Sequence, residues 1–281
     1  MSPATAIPKA QETKIVDGYF HAGSSNWNAL YEGKDVFAVI HQERRSMALQ
    51  YFDELSLPKE SRVLEVGCGA GLLTVDLAQR GYTIEALDRV EAMVDLTRRN
   101  SLKAGVQNRV NPHIGDVYHL PFRDGIFNCL IALGVTPYAV EIESALKEMA
   151  RVLAPRGHVI INADNRHRLN HLLDPALMPA LASLKGKLKR ALEKSGLRKP
   201  LNEPHPHMYT RKEFNQLLTL AGLVPVNHHT LGFGPFSFLK WQFLGDTFGV
   251  KLHHDLQRFS NRGLKFLQST GAQFLAIARK S

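Results

Sequence analysis

Residues 63–71 read VLEVGCGAG, an apolar run that ends in Gly67, Gly69 and Gly71 directly ahead of the helix-like LLTVDLAQR. No other stretch narrows the fold as much. A buried strand that turns at once into a helix through three glycines marks an α/β unit. Glycine tolerates φ > 0, and its missing Cβ brings bare backbone amides close to a ligand. Such a loop suits a nucleotide-like molecule. The spacing is G-x-G-x-G rather than the G-x-G-x-x-G of dinucleotide folds, and Glu65 lies inside the strand, two positions before the first glycine.

Further apolar segments follow at intervals that build a sheet. Residues 82–88, YTIEALD, read as a second strand ending in Asp88, and VNPHIGDVYHLPF then carries Gly115, Asp116 and Val117. IFNCLIALGV reads as a buried fourth strand, and a helix over 141–153 leads into the fifth strand in LAPRGHVIINAD. A helix over 209–222, a strand over 223–231 and an alternating strand over 271–280 complete the pattern, the last being antiparallel.

Over roughly residues 50–165 the order and spacing of these segments resemble the motifs of class I S-adenosylmethionine (SAM) methyltransferases, similar to the ubiquinone-pathway and related small-molecule enzymes. The resemblance implies an α/β fold: a Rossmann-like seven-stranded, mostly parallel sheet with an antiparallel last strand, plus helical cap insertions. It implies S-adenosyl-L-methionine as cofactor, cradled by Glu65, Gly67, Cys68, Gly69 and Gly71. Asp88 would accept hydrogen bonds from both ribose hydroxyls, a task that suits a group that only accepts, with Arg89 beside it. Asp116 would take the adenine amine, next to Val117, and Leu133 would close the pocket at the end of the fourth strand. Two positions depart from the family pattern: Arg89 stands where a small residue is commoner, and Asn128 where an Asp is frequent.

The formal net charge of +9 is not spread evenly. Residues 166–208 hold nine Lys or Arg against three acids and residues 234–270 hold five against two, so these excesses of six and three account for all of it. In the implied topology both segments leave the carboxyl edge of the sheet, beyond which ligands of open α/β sheets bind. The expected organisation is therefore an N-terminal arm over the site (1–49), the SAM-binding core (50–165) and a basic helical insertion (166–208). The C-terminal part of the core (209–281) then carries an aromatic and basic insertion at 234–270. In the first insertion Leu181, Leu184, Leu188, Ala191 and Leu192 fall near helical spacing, and Gly186 weakens the helix by about 1 kcal/mol. Basic amphipathic segments of this kind lie on anionic membranes or bind apolar ligands, or simply cover a core with solvated lysines.

Residues 1–14 are polar, contain proline and lack a secretory h-region, and they read as a frayed arm. With no run of about 20 apolar residues and two cysteines without metal-binding spacing, the expectation is a reduced, cytoplasmic protein, with peripheral membrane contact through the cap.

Methyl transfer from a sulfonium needs positioning more than side-chain chemistry, and a general base helps only where the acceptor must lose a proton. Candidate bases reaching the carboxyl edge are His41, Asp164 and His167, with His205 and His207 behind them. The histidine pairs 205/207, 228/229 and 253/254 lack the i, i+4 spacing of a helical metal site, so no metal is expected. Trp27, Tyr31 and Phe37 in the arm serve a lid or a core equally well. The expected function is methylation of a small, largely apolar or lipid-like acceptor, at oxygen in preference to carbon or nitrogen. The alternatives are a nucleic-acid methyltransferase and a non-catalytic SAM-binding protein. The segment ALGVTPY after the fourth strand lacks the N/D-P-P-aromatic motif of enzymes that methylate a flipped base.

Overall fold

The computed structural model describes residues 9–23, 27–178, 204, 206–239 and 241–281. Three helices precede the sheet: α1 (Lys9–Gly23), α2 (Trp27–Glu32) and α3 (Val36–Glu54). Asp35 caps α3 by accepting from the amides of Phe37 and Ala38 at 2.9 and 3.0 Å, which satisfies two of the donors a helix start leaves orphaned. The polar segment read as a frayed arm is therefore helical from Lys9 onward.

The core alternates strand and helix: β1 (Arg62–Val66), α4 (Leu72–Gln79), β2 (Thr83–Asp88), α5 (Glu91–Lys103), β3 (Val110–Ile114), β4 (Phe127–Ala132), α6 (Ile142–Val152) and β5 (Leu153–Asn165). Then come α7 (Leu169–Leu173), the two-residue β6 (Met208–Tyr209), α8 (Arg211–Leu220), β7 (Leu223–Leu231), a hairpin of β8 (Ser237–Phe238) and β9 (Trp241–Gln242), α9 (Asp246–Asn261), α10 (Lys265–Thr270) and β10 (Gln273–Lys280). The sheet runs β3-β2-β1-β4-β5-β10-β7, with β10 antiparallel to both neighbours and the other central pairs parallel. The order reverses between β1 and β4.

This is the seven-stranded arrangement expected, with one addition. β6 pairs in parallel with the end of β5, Asp164 opposite Met208, so the helix anticipated from residue 209 begins at Arg211. Thr210 and Glu213 form a reciprocal capping box there. Most of the basic insertion, residues 179–203, and His205 lie outside the described residues.

Period-two alternation divides the core between the two faces of the sheet. On one face Leu64, Leu130 and Ala276 pack with Leu146 and Met149 of α6 and Phe214 and Leu218 of α8. On the other, Val63, Cys129, Ile131 and Leu275 pack with Phe52 of α3 and Leu77 of α4. Both cysteines are free and buried, and burial pushes their thiols well above the ordinary range. A third, small cluster of Phe233, Phe236 and Leu267, with Leu169, Leu252 and Leu256 against it, gives the segment around α9 and α10 a core of its own. Asn128 accepts from the Arg62 amide at 2.9 Å, fixing the start of β1. Among the described residues no helix is long and apolar enough to cross a membrane.

Candidate active site

The carboxyl ends of β1, β2, β4 and β5 open into a cleft of about 350 Å³, roofed by α1, α2 and the start of α3. Its first wall is the glycine loop. Gly67, Gly69 and Gly71 all have positive φ (70°, 54° and 71°), and a Cβ on Gly67 would stand 2.5 Å from Val135 Cγ2. The sequence suggests that the loop amides are bare, and the structure corrects this. Gly67 N and Cys68 N donate to Leu87 O at 2.7 and 3.1 Å, Gly71 N donates to Cys68 O at 2.8 Å, and Gly69 N donates to Asp88 Oδ2 at 2.9 Å. The glycines therefore provide turn and space, while their amides lock the loop to β2. Gly71 begins α4 and does not line the cleft; Glu65, Gly67, Cys68 and Gly69 do.

Asp88 ends β2 with each carboxylate oxygen accepting one backbone amide, Oδ2 from Gly69 and Oδ1 from Val90, both at 2.9 Å. Each oxygen keeps a further lone pair, enough for two vicinal hydroxyls. Burial raises its carboxyl above the usual range against these hydrogen bonds. Glu65 is buried beneath the loop and accepts from the Thr74 hydroxyl; burial pushes its carboxyl up to about 8. Asp116 is engaged within the chain, accepting from Tyr118 N at 3.1 Å and pairing with Arg89 at 3.3 Å. Arg89 also holds Asp17 of α1 at 3.1 Å, so this residue ties the roof to the loop after β3. Val117 and Leu133 line the cleft.

The roof is fixed from both sides. Trp27 covers the loop, since a Cβ on Gly69 would lie 3.2 Å from its Nε1. Asn100 holds the neighbouring Asn28 and the Ala70 carbonyl at 3.0 and 2.8 Å. Phe20 packs edge-on against Trp27 and Tyr138, with ring centroids 5.3 and 5.0 Å apart.

The second wall gathers Phe37, His41, Arg44, Tyr138, Asp164 and Gln273. His41 Nδ1 lies 2.8 Å from the Phe37 carbonyl; a carbonyl only accepts, so Nδ1 carries the proton and Nε2 keeps a lone pair. Burial, reinforced by Arg44, pushes His41 down to about 3, and the ring is neutral at ordinary pH. Asp164 is paired with Arg168 at 3.0 Å. His167 leaves the site: it is exposed at the turn after β5, its amide donating to Asn165 Oδ1. His207 sits 3.5 Å from Glu12 and does not line the cleft.

Arg44 was not singled out in the sequence. It is 6% exposed, touches Gln273 Oε1 only at 3.5 Å, leaves its Nε without a hydrogen-bond partner and forms no ion pair among the described residues. A buried guanidinium without a carboxylate is costly, and this one lines the cleft. The sequence offers little signal for it, because Arg44 stands between Glu43 and Arg45 in a helix of mixed polarity. Arg45 ties α3 to Asp76 at 2.5 Å.

One further cluster has the composition of a metal site: Glu43, His253 and His254 on α3 and α9. The tautomer argues against it. The Phe233 amide donates to His253 Nδ1 at 3.1 Å, so Nε2 must hold the proton and donates it to Glu43 at 2.8 Å. A protonated nitrogen cannot ligate, and the contact ties two helices together.

A sheet reversing between β1 and β4, with a glycine turn, a strand-end carboxylate and a roofed cleft at that point, defines a Rossmann-like nucleotide-binding domain of the methyltransferase type. Residues 64–161 match the family described as a methyltransferase domain. A ubiquinone biosynthesis O-methyltransferase of Marinobacter nauticus is 27% identical over 149 residues, 53% of this chain and 61% of that protein. A sterol 4-C-methyltransferase of Caenorhabditis elegans is 22% identical over 52% of this chain and 43% of its own length. The chain thus spans less than two-thirds of the curated relatives it matches. Among solved structures, magnesium protoporphyrin IX methyltransferase from Synechocystis with bound SAH superposes with a TM-score of 0.63 at 18% identity, covering 96% of this chain and 100% of that one. Over residues 64–161 the chain is thus similar to class I S-adenosylmethionine-dependent methyltransferases, and the fold around that segment is theirs.

Proposed function

We propose that this protein binds S-adenosyl-L-methionine in the cleft and transfers its methyl group to a small, largely apolar acceptor by in-line displacement, at oxygen in preference to carbon or nitrogen. The observation that carries the cofactor assignment is Asp88: a half-buried strand-end carboxylate beside a Cβ-free loop, aimed by the Gly69 and Val90 amides, is placed to accept from the two hydroxyls of a ribose. In this reading Asp116 and Val117 bound the adenine and Leu133 the pocket wall. Asp116 reaches the adenine amine with its remaining lone pairs while Arg89 holds it in place. Arg44 supplies the missing counter-ion for the amino-acid carboxylate, and Glu65 lies beneath the same end.

Bound SAM supplies an already activated methyl group, so the chain's own task is to aim a nucleophile and exclude water, an ordering effect worth about 7–11 kcal/mol. The walls suit that task. Phe20, Trp27, Phe37 and Tyr138 give the acceptor an apolar, aromatic enclosure. His41 offers Nε2 as a hydrogen-bond acceptor that orients a hydroxyl. Its low basicity beside Arg44 makes it an orienting group at first, and Nε2 takes the hydroxyl proton once the oxygen carries the methyl group and has become strongly acidic. Asp164, occupied by Arg168, positions the far side of the acceptor. The relatives include both oxygen and carbon methyltransferases; the oxygen preference rests on His41, whose free Nε2 suits a hydroxyl donor at the cleft. The acceptor is lipid-like and is taken from an anionic membrane surface.

Calorimetric titration with SAM and, separately, with NADH tests the cofactor. Micromolar SAM binding without NADH binding is expected, and the reverse overturns the reading. Transfer of labelled methyl from SAM to phenolic, quinol and lipid acceptors then reads the acceptor class.

A further inference from the structure

Beyond the cleft, the molecule carries an exposed apolar surface that its own core does not use. In the β8–β9 hairpin Phe238 and Trp241 stand directly opposite one another across the strands and so share one face. Both are exposed, Trp241 to 80%, as are Leu239 at the turn, Phe243 just beyond it and Phe248 at the start of α9. A tryptophan so open to water costs apolar burial worth a few kcal/mol, and contiguous exposed patches of this kind mark interaction sites.

The exposure is built into the fold. Asp174, fully buried, accepts from the Ser237 hydroxyl at 2.7 Å and from the Leu239 amide at 2.8 Å. This carboxylate anchors the hairpin from below and holds Leu239 at a φ of 52°, which bulky residues rarely adopt. The aromatic face is thereby fixed outward.

Charge identifies the occupant. Exposed Lys251, Arg258, Arg262 and Lys265 follow along α9 and into α10, within a segment of five basic and two acidic residues. Exposed Phe259 and Phe266 lie among them. Aromatic side chains interleaved with cations fit the interface of an anionic bilayer. A second copy of a chain carrying +9 would be repelled.

Position joins this surface to the cleft. Gly234 and Pro235, which line the cleft, immediately precede the hairpin. A Cβ on Gly234 or on Gly249 would stand 2.8 Å from Val36, so the loop before the hairpin and the start of α9 both press on the residue next to Phe37, itself a cleft residue.

We infer that the face formed by Phe238, Leu239, Trp241, Phe243 and Phe248, with the cations of α9 and α10, docks on an anionic lipid surface and sets the cleft mouth at the bilayer, where an apolar acceptor enters. The docking surface stands on its own observations; the acceptor's route rests on the proposed methyltransferase reading.

The test is co-sedimentation of the full chain with phosphatidylcholine vesicles, alone or with one-third phosphatidylglycerol, at low and high salt. Wild type should bind the anionic vesicles and release as salt screens the cations. Phe238→Ser combined with Trp241→Ser should lower the partition by on the order of tenfold for each side chain removed. Unchanged SAM affinity, read by titration of the same variant, shows that the fold is intact. As a measurement independent of that variant, tryptophan emission of wild type should shift to the blue on anionic vesicles, and Trp241→Phe should abolish the shift. No vesicle binding, equal binding of wild type and double variant, or binding without a salt response overturns the proposal. So does a dimer in light scattering that the double variant dissolves, because the occupant would then be a second copy. Vesicle binding requires no SAM, so loss of SAM binding with vesicle binding intact would strike the reading of the cleft alone.

Discussion

One wall of the cleft is supplied by a single stretch of chain, Glu65 to Val117, and the other by residues as far apart as Phe37 and Gln273. The first wall is rigid through its own backbone: four loop amides are bound to Leu87, Asp88 and Cys68, and three glycines hold left-handed conformations. The second is held by side chains reaching between elements, Arg44 toward Gln273 and Asp164 toward Arg168. The contrast fits the two tasks. In the proposed reading the cofactor is met mainly by fixed backbone, reaching across only to Arg44, and the acceptor by side chains that can change without disturbing the sheet.

The contrast is broken most sharply by Gly67→Arg. Residue 67 has a φ of 70° and no room for a Cβ beside Val135, so the variant should lose SAM binding altogether by calorimetry; wild-type affinity would sink the assignment of this wall. Asp88→Ala and Arg44→Gln come next and separate the walls. Each removes charge-assisted hydrogen bonds worth about 1.5–3 kcal/mol apiece, or roughly ten- to a hundredfold in Kd. Asp88→Ala also frees the Gly69 and Val90 amides and should show the larger loss. If Arg44→Gln left SAM affinity intact and raised only the KM for acceptor, its guanidinium would belong to the acceptor end instead.

His41→Gln is expected to be milder. Glutamine retains an acceptor atom but not its aim, so turnover of a hydroxyl acceptor should fall by about fivefold, the loss of one hydrogen bond of roughly 1 kcal/mol. SAM affinity should stay unchanged. Equal turnover by wild type and variant would remove His41 from the reaction and favour a carbon acceptor.

The same division explains what could be read from the chain. The glycine loop, Asp88 and the strand order were legible because they depend on local residue order: conformational freedom at glycine, a carboxylate at a strand end, and hydrophobic alternation. The use of the loop amides was not, since their partners Leu87 and Asp88 arrive from the next strand. Arg44 was missed for a related reason. Its lack of a counter-ion appears only once α3 packs over β5, β7 and β10, and in sequence an arginine with acids nearby looks paired. His167 looked suitable because it follows β5, but the turn that Asn165 closes points it to solvent. The Glu43–His253 contact joins positions 210 residues apart, and only the amide on the far nitrogen reveals that it is a hydrogen bond rather than a metal site.

The smallest expected signal, a fraction of a proton, concerns Glu65, which lies under the rigid wall and links it to pH. Its carboxyl is raised to about 8 by burial from an unfolded value near 4.5, so the folded state binds the proton more tightly. The stability this gives is complete below about pH 4.5 and declines as pH rises to 8, by at most about 1.4 kcal/mol per pH unit. Glu65→Gln, which mimics the protonated form, should flatten that part of the Tm profile. A cationic ammonium brought near Glu65 by the cofactor would favour the carboxylate, so SAM binding at pH 7 should release a fraction of a proton. Titrations in buffers of different ionisation enthalpy measure that fraction directly, and Glu65→Gln should abolish it. Proton release that persisted in the variant would place the ammonium elsewhere and leave Glu65 a purely structural partner of Thr74.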